Sequence, residues 1–157
     1  MKKLAEEAHF FNALVPLANA FAGTVYTDVI NCENYASVCF VLQKGVGTTG
    51  TSTITAVPVS TNGASASGTA VGYDYSEITS TDVNPALTNV ANTGFTTTAG
   101  SNTLVVVEVD LDKIAASGYQ YMRLAFVEVA AAAVLGGVLG IMYNPRYAGA
   151  GSPTQLV

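Results

Sequence analysis

Charge is the scarcest property of this chain. Of 157 residues only 11% are Asp, Glu, Lys or Arg, against roughly 25% in an ordinary soluble domain. Tryptophan is absent, histidine occurs once as His9, and cysteine twice as Cys32 and Cys39. Six Lys and Arg against eleven Asp and Glu leave a net charge of −5. Nucleic-acid binding relies on clustered Lys and Arg that displace counterions, and no basic run exceeds Lys2-Lys3. This argues against direct nucleic-acid contact. Two cysteines are too few for a disulfide framework. With one histidine they also fall short of the four ligands of a structural zinc site. They read as two small buried side chains on neighbouring strands.

Long apolar runs are missing as well. The N-terminal stretch MKK…FFNALVPLANAFAG has the outline of a signal peptide. Glu6, Glu7 and His9 interrupt its approach, and Asn12 and Pro16 break its apolar centre, so no leader is expected. Val129 to Met142 is apolar with Glu128 at its edge, but it is shorter than the roughly 20 residues of a spanning helix. No membrane partner is expected.

What the chain does have is β-forming material. Half of it is hydrophobic and threonine occupies 18 positions, a composition that favours strands. The length suits a single domain, 1–157, with a sizeable core. So little charge implies a surface that does not face water alone, and hence assembly.

An amphipathic helix is expected over Lys2–Leu14, where Leu4, Ala8, Phe11 and Val15 recur at helical spacing and Phe10 and Leu14 widen the stripe. Pro16 ends it, leaving 1–22 as a helix or arm ahead of a β body, 23–147. Strands are expected at Thr24–Ile30, Tyr35–Gln43, Thr51–Val59, Ala70–Ile78, Thr103–Val109, Tyr119–Val129 and Leu135–Tyr143, with a short one near Phe95. Tyr35–Gln43 is apolar on both faces, as in a central strand or one covered by another subunit. Pro58 places the far end of its strand at a sheet edge. Asp110 is suited to cap a short helix near 111–117 that Gly118 closes. Residues 148–157 form a tail. The pattern indicates an all-β protein, a single β-sandwich of jelly-roll or Greek-key type.

Three motifs invite chemistry. The stretch GVGTTG, Gly45–Gly50, matches G-x-G-x-x-G, but such a site must open a helix. Here Thr51-Ser52-Thr53-Ile54-Thr55 follows, which favours a strand, and the lysine that completes a P-loop is absent. The stretch reads as an exposed hairpin loop at one end of the sandwich. Glu108, Asp110 and Asp112 alternate along EVDLD, yet the full calcium-loop pattern is lacking, so helix capping and solvation account for them. Tyr73 with Tyr75 and Tyr119 with Tyr121 form i, i+2 pairs that could stack sugars; half-buried strand tyrosines are the simpler reading. No nucleophile–base pair stands out. The expectation is a non-enzymatic protein without cofactor or metal.

The segment HFFNALVPLANAFAGTVYTDVINCENYASVCFVLQKGVGTTGTSTIT, the later TTTAGSNTLVVVEVDLDKIAASGYQYMRLAFVEV and the terminal NPRY together resemble a family of small tailed-bacteriophage virion proteins found alongside the major capsid protein. The likeness runs from about Ala8 to Tyr147. It implies a capsid-associated decoration or cement protein, made in the bacterial host cytoplasm and placed on the capsid exterior. Its partner would be the major capsid protein, with self-association, for instance as a trimer. Leu4, Phe10, Phe11 and Leu14 are the expected apolar contacts. The alternatives are another station (minor head, neck, tail or shell-forming subunit) or a carbohydrate-binding β-sandwich on a virion surface.

Overall fold

The computed structural model describes residues 3–63, 67–79 and 83–147. The expected C-terminal tail, 148–157, lies outside them. Two helices and eleven strands follow one another: α1 (Leu4–Glu7), β1 (His9–Leu17), β2 (Thr24–Tyr26), β3 (Ile30–Asn31), β4 (Tyr35–Lys44), β5 (Thr51–Val59), β6 (Tyr73–Ile78), β7 (Thr88–Val90), β8 (Phe95–Thr96), β9 (Thr103–Asp110), α2 (Leu111–Ala116), β10 (Tyr121–Ala130) and β11 (Gly136–Pro145). One sheet has the order β1-β11-β4-β9-β6-β7 and the other β2-β10-β5-β8, with β3 also on β10.

The pairings identify the topology. β1 pairs with β11, β2 with β10, β4 with β9 and β5 with β8, all antiparallel. First strand meets last, second meets second-last, and so inward, as in one long hairpin. Contacts of β11 with β4 and of β10 with β5 then roll that hairpin into two packed sheets. This is a jelly roll, with β6 and β7 inserted as an extra hairpin on the free side of β9.

Inward residues alternate along the central strands, as a half-buried strand requires. Val38, Phe40 and Leu42 of β4 face Val105, Val107 and Val109 of β9, and all six are buried. Each such side chain contributes about 1.5–3 kcal/mol on leaving water. From the other sheet come Ile54, Leu124 and Phe126, the last stacked on Phe21 with ring centroids 5.8 Å apart.

The N-terminal expectation needs correction. Only Leu4–Glu7 is helical, and the rest of the expected helix is β1, an edge strand of the larger sheet. Helical spacing and strand alternation both fit HFFNALV, and tertiary context decides between them. The flank of β11 offers a row of backbone groups that pair with an extended segment, and as a strand β1 turns Phe11 and Ala13 into the core. Gly140, directly opposite, makes room: a Cβ there would fall inside the Phe11 ring.

The expected strand Thr24–Ile30 is broken in two. Leu124 N–H on β10 donates to the Thr27 hydroxyl at 2.9 Å, and Asp28 N–H donates across to Ala13 C=O at 2.8 Å. A side chain thus replaces a rung of the ladder while the backbone turns toward the opposite sheet. Pro58 behaves as expected. Ala56 and Pro58 direct their carbonyls to Val71 and Gly68 on the side away from β10, where only isolated bridges cross, so the missing N–H of Pro58 interrupts no ladder. The helix near 111–117 also forms: Asp110 accepts the Asp112 N–H at 2.9 Å, and Gly118 follows with φ +83°.

Gly45–Gly50 is a second correction, because β4 and β5 lie in different sheets. The stretch is an arch between sheets, not a hairpin. The β10–β11 link is another such arch, and the two pack together. Gly45 N–H donates to Leu135 C=O at 2.7 Å, and Leu135 N–H to Val46 C=O at 3.1 Å. Gly50 is buried, and a Cβ on it would strike Val134 and approach the Ala132 carbonyl at 2.8 Å. β5 starts at once at Thr51, so no helix N-terminus exists there to hold a phosphate.

Candidate interaction surface

β4 is sandwiched between β11 and β9, so its two faces have different fates. The inner face is covered by the second sheet. Its outer face, with Cys39, Val41 and Gln43, carries no second sheet among the described residues, and α1 borders it at the Cys39 end. The register lays out two rows across the sheet. Phe10, Ile141, Cys39, Glu108 and Asp74 lie abreast, and so do Asn12, Leu139, Val41, Val106 and Ser76. Leu104 and Ile78 continue the face below. Phe10 and Leu139 are each 40% exposed; Val41, Val106 and Ile141 are half-buried only by one another and their neighbours.

The outer face of the smaller sheet differs. It presents Thr53, Thr55 and Thr96, with the Thr53 and Thr96 hydroxyls 2.8 Å apart. Arg123 lies over the Tyr26 ring at 3.7 Å. Exposed valines stand there too, Val127 at 45% and Val129 at 60%, so both faces keep apolar side chains, interspersed with threonines on the smaller sheet and with Asn12, Gln43 and Glu108 on the larger.

Two grooves mark the open side. The first, of about 540 Å³, runs along Leu14, Val41, Gln43, Leu104 and Leu139 with Gly136 and Gly137 as its floor. The second, of about 790 Å³, lies beneath α1 between Leu4, Glu6, Glu7, Ile141, Glu108 and Tyr143. In the latter the Tyr143 hydroxyl donates to Glu108 Oε2. Burial pushes the Tyr143 phenol up to about 12, and the hydrogen bond to Glu108 and its charge add to that. The Cys39 thiol is likewise pushed up to about 12, first by burial and then by the Glu108 charge and hydrogen bond. At neutral pH the thiol and phenol are therefore protonated donors around one carboxylate.

The expected contact residues divide. Phe10 lies on the open face, Leu14 lines the first groove while packing against the core, and Leu4 stands 65% exposed on α1 at the second groove. Phe11 does not join them, since the core takes it. His9, expected on a helix, sits in β1 with its ring near Phe11 and Tyr35 at centroid distances of 6.0 and 6.4 Å. Both cysteines are free thiols, Cys32 buried and Cys39 on the open face. The acidic set is dispersed: Glu108 holds Tyr143, Asp110 caps α2, and Asp112 pairs with Arg146 at 2.6 Å. Among the described residues no three His, Cys, Asp or Glu gather as metal ligands.

Of the two tyrosine pairs, Tyr73 with Tyr75 forms no platform, because Tyr73 is fully buried with its hydroxyl on the Ile54 carbonyl. Its neighbour Tyr75 stacks on Phe95 at 3.8 Å and packs against the core. Val41 belongs to the two-faced strand read in the sequence, whereas Val106, Leu139 and Ile141 were missed there. Their signal was the absence of alternation in TLVVVEV and LGGVLGIMY, which an ordinary one-sided strand does not show.

No family model and no curated relative matches the chain. Among solved structures, the SPBc2 prophage-derived protein YomS is similar at a TM-score of 0.48 and 12% identity, covering 87% of this chain and 92% of that one. Likeness of that degree adds nothing to the topology read from the strand order.

Proposed function

We propose that this protein is a non-enzymatic structural component of a tailed-phage virion that decorates the capsid by binding the major capsid protein. The observation that carries the reading is the open apolar face of the larger sheet. On it Phe10, Ile141, Leu139, Val41, Val106 and Leu104 lie on four neighbouring strands, a contiguous apolar set of the kind that marks an interaction site. The low charge and the resemblance of the ordered segments to capsid-associated proteins point the same way. Repetition over a shell lets a modest contact per copy hold firmly, because each added link raises the effective concentration of the next.

The test is cosedimentation of the purified protein with capsids that lack it. Saturable binding at a fixed number of copies per capsid is expected. No binding, or a few copies confined to one vertex, would sink capsid decoration and favour a neck or tail station.

A further inference from the structure

We infer that the interior of the sandwich, at the end closed by the Gly45–Gly50 arch, binds one small monovalent anion of halide size, held by the Lys44 ammonium and the hydroxyls of Ser52 and Thr103. The inference is independent of the proposed virion role.

Lys44 ends β4 in the inward row of Val38, Phe40 and Leu42, and it has no exposure. A lysine is almost never fully buried unless it is paired. Its Nζ donates to the Thr98 carbonyl at 2.8 Å and lies 6.0 Å from the centre of the Phe21 ring. Neither is a counter-charge. Among the described residues the one ion pair joins Arg146 to Asp112. Glu77 exerts its charge on Lys44 from beyond ion-pair distance. The Glu77 carboxylate is itself engaged by the Thr98 N–H at 2.8 Å and the Thr98 hydroxyl at 2.6 Å.

Two more buried donors share this end of the interior. Thr103 stands directly opposite Lys44 across β4 and β9, in the inward row of Val105 and Val107. Ser52 faces in from β5, in the row of Ile54 and Ala56. Its N–H donates to the Thr97 hydroxyl at 3.2 Å and its carbonyl accepts the Thr97 N–H at 3.0 Å. That places Ser52 beside the Thr98 that receives Lys44. Ser52 has no exposure and Thr103 only 4%, yet neither hydroxyl has a hydrogen-bond partner among the described residues. Buried hydroxyls in native proteins are paired, or they point at an ordered water or ion.

The donors and the charge decide which. Lys44 keeps two N–H groups beyond the one on Thr98, and the two hydroxyls add two more. No carboxylate bonds to any of them. A water would satisfy the hydroxyls and leave the ammonium uncompensated. An anion accepts from all of them and offsets the charge where the dielectric is low. The size follows from the same layer. Ser52 is shorter than Ile54, the next inward residue of its strand, by about two carbon atoms in a close-packed interior. That suits a halide and is too little for phosphate. The glycine-rich arch runs between Lys44 and Thr51, so it joins two of the three ligands.

Thermal unfolding of the full chain tests this, with sodium gluconate replaced stepwise by chloride, bromide or sulfate at constant ionic strength. Chloride and bromide should raise the midpoint saturably, by at least about 3 °C. Sulfate should give only the gradual, unsaturating rise of an excluded salt. Lys44→Met should unfold in gluconate at or above the unaltered chain, since an apolar side chain replaces a buried charge, and should lose the halide response. Ser52→Ala with Thr103→Val should weaken that response at least about tenfold in halide concentration. A bromide-soaked crystal should show its anomalous signal between Lys44 and Ser52. Midpoints that follow ionic strength alone, a halide response that survives Lys44→Met, or a water where bromide is expected would each overturn the inference.

Discussion

At Gly140 the chain places the smallest residue where Phe11 needs its whole ring volume. Gly140→Ala should therefore overpack the β1–β11 seam and cost about 1–3 kcal/mol, read by urea unfolding. Adding Phe11→Leu should recover part of the loss, since residues in contact are not additive. Equal losses in the single and double variants would contradict the contact. Titration follows from the same local view. Cys39 and Tyr143 are raised from ordinary values of 9.0 and 10.0 to about 12. A raised folded value means the native state holds the proton more tightly, so this stabilisation is complete below the ordinary value and lost as pH rises toward 12. Stability should decline between about pH 9 and 12. Cys32, also pushed to about 12 by burial, acts in the same sense. Lys44, lowered by burial, acts in the opposite one. Cys39→Ala with Tyr143→Phe should make the decline shallower; an unchanged slope in a pH series of denaturation curves would refute the assignment.

At the scale of elements, the two arches and the edge strand give the clearest tests. Gly50 is buried against Val134, whereas Val46 in the same stretch is 71% exposed. Gly50→Ala should cost about 1–3 kcal/mol, and Val46→Ala no more than about 0.5 kcal/mol. Equal effects in thermal unfolding would mean the arch is not packed as described. β1 is part of the sandwich and not a detachable arm. Deleting residues 1–15 removes Phe11 and Ala13 from the core, which should cost at least the roughly 3–5 kcal/mol of losing a buried Phe. Loss of capsid binding in that truncation would thus report unfolding and not a lost contact. Point variants are the sound probe of β1.

For the whole molecule, what matters is that the two outer faces differ. Leu139→Asp places a charge in the middle of the open face at a position already 40% exposed, so the fold should tolerate it within about 0.5–1 kcal/mol. On the proposed role, capsid occupancy should drop at least about tenfold, while Thr55→Asp on the opposite face leaves it unchanged. Cosedimentation with a circular dichroism control checks both, and equal occupancy in the two variants would remove the open face from the contact.

Much of this was legible in the chain. Thr51–Val59 and the Asp110-capped helix carry their own local instructions, turn formers and β-branched runs in one, a capping carboxylate and a closing glycine in the other. The all-β class, the apolar character of both faces of β4 and the absence of a helix after Gly50 followed from the same short-range chemistry. Three things did not. HFFNALV satisfies helical and strand periods alike, and only the open flank of β11 selects the strand. Gly45–Gly50 connects two strands whatever their sheets, and only the rolling of the long hairpin makes it an arch. Tyr73 and Tyr75 alternate as a platform would, and only the second sheet decides that their side faces inward. Local sequence determines which segments extend and where they turn. Which backbone edges meet, and so which apolar side chains stay on the outside, is decided by pairings between residues far apart in the chain.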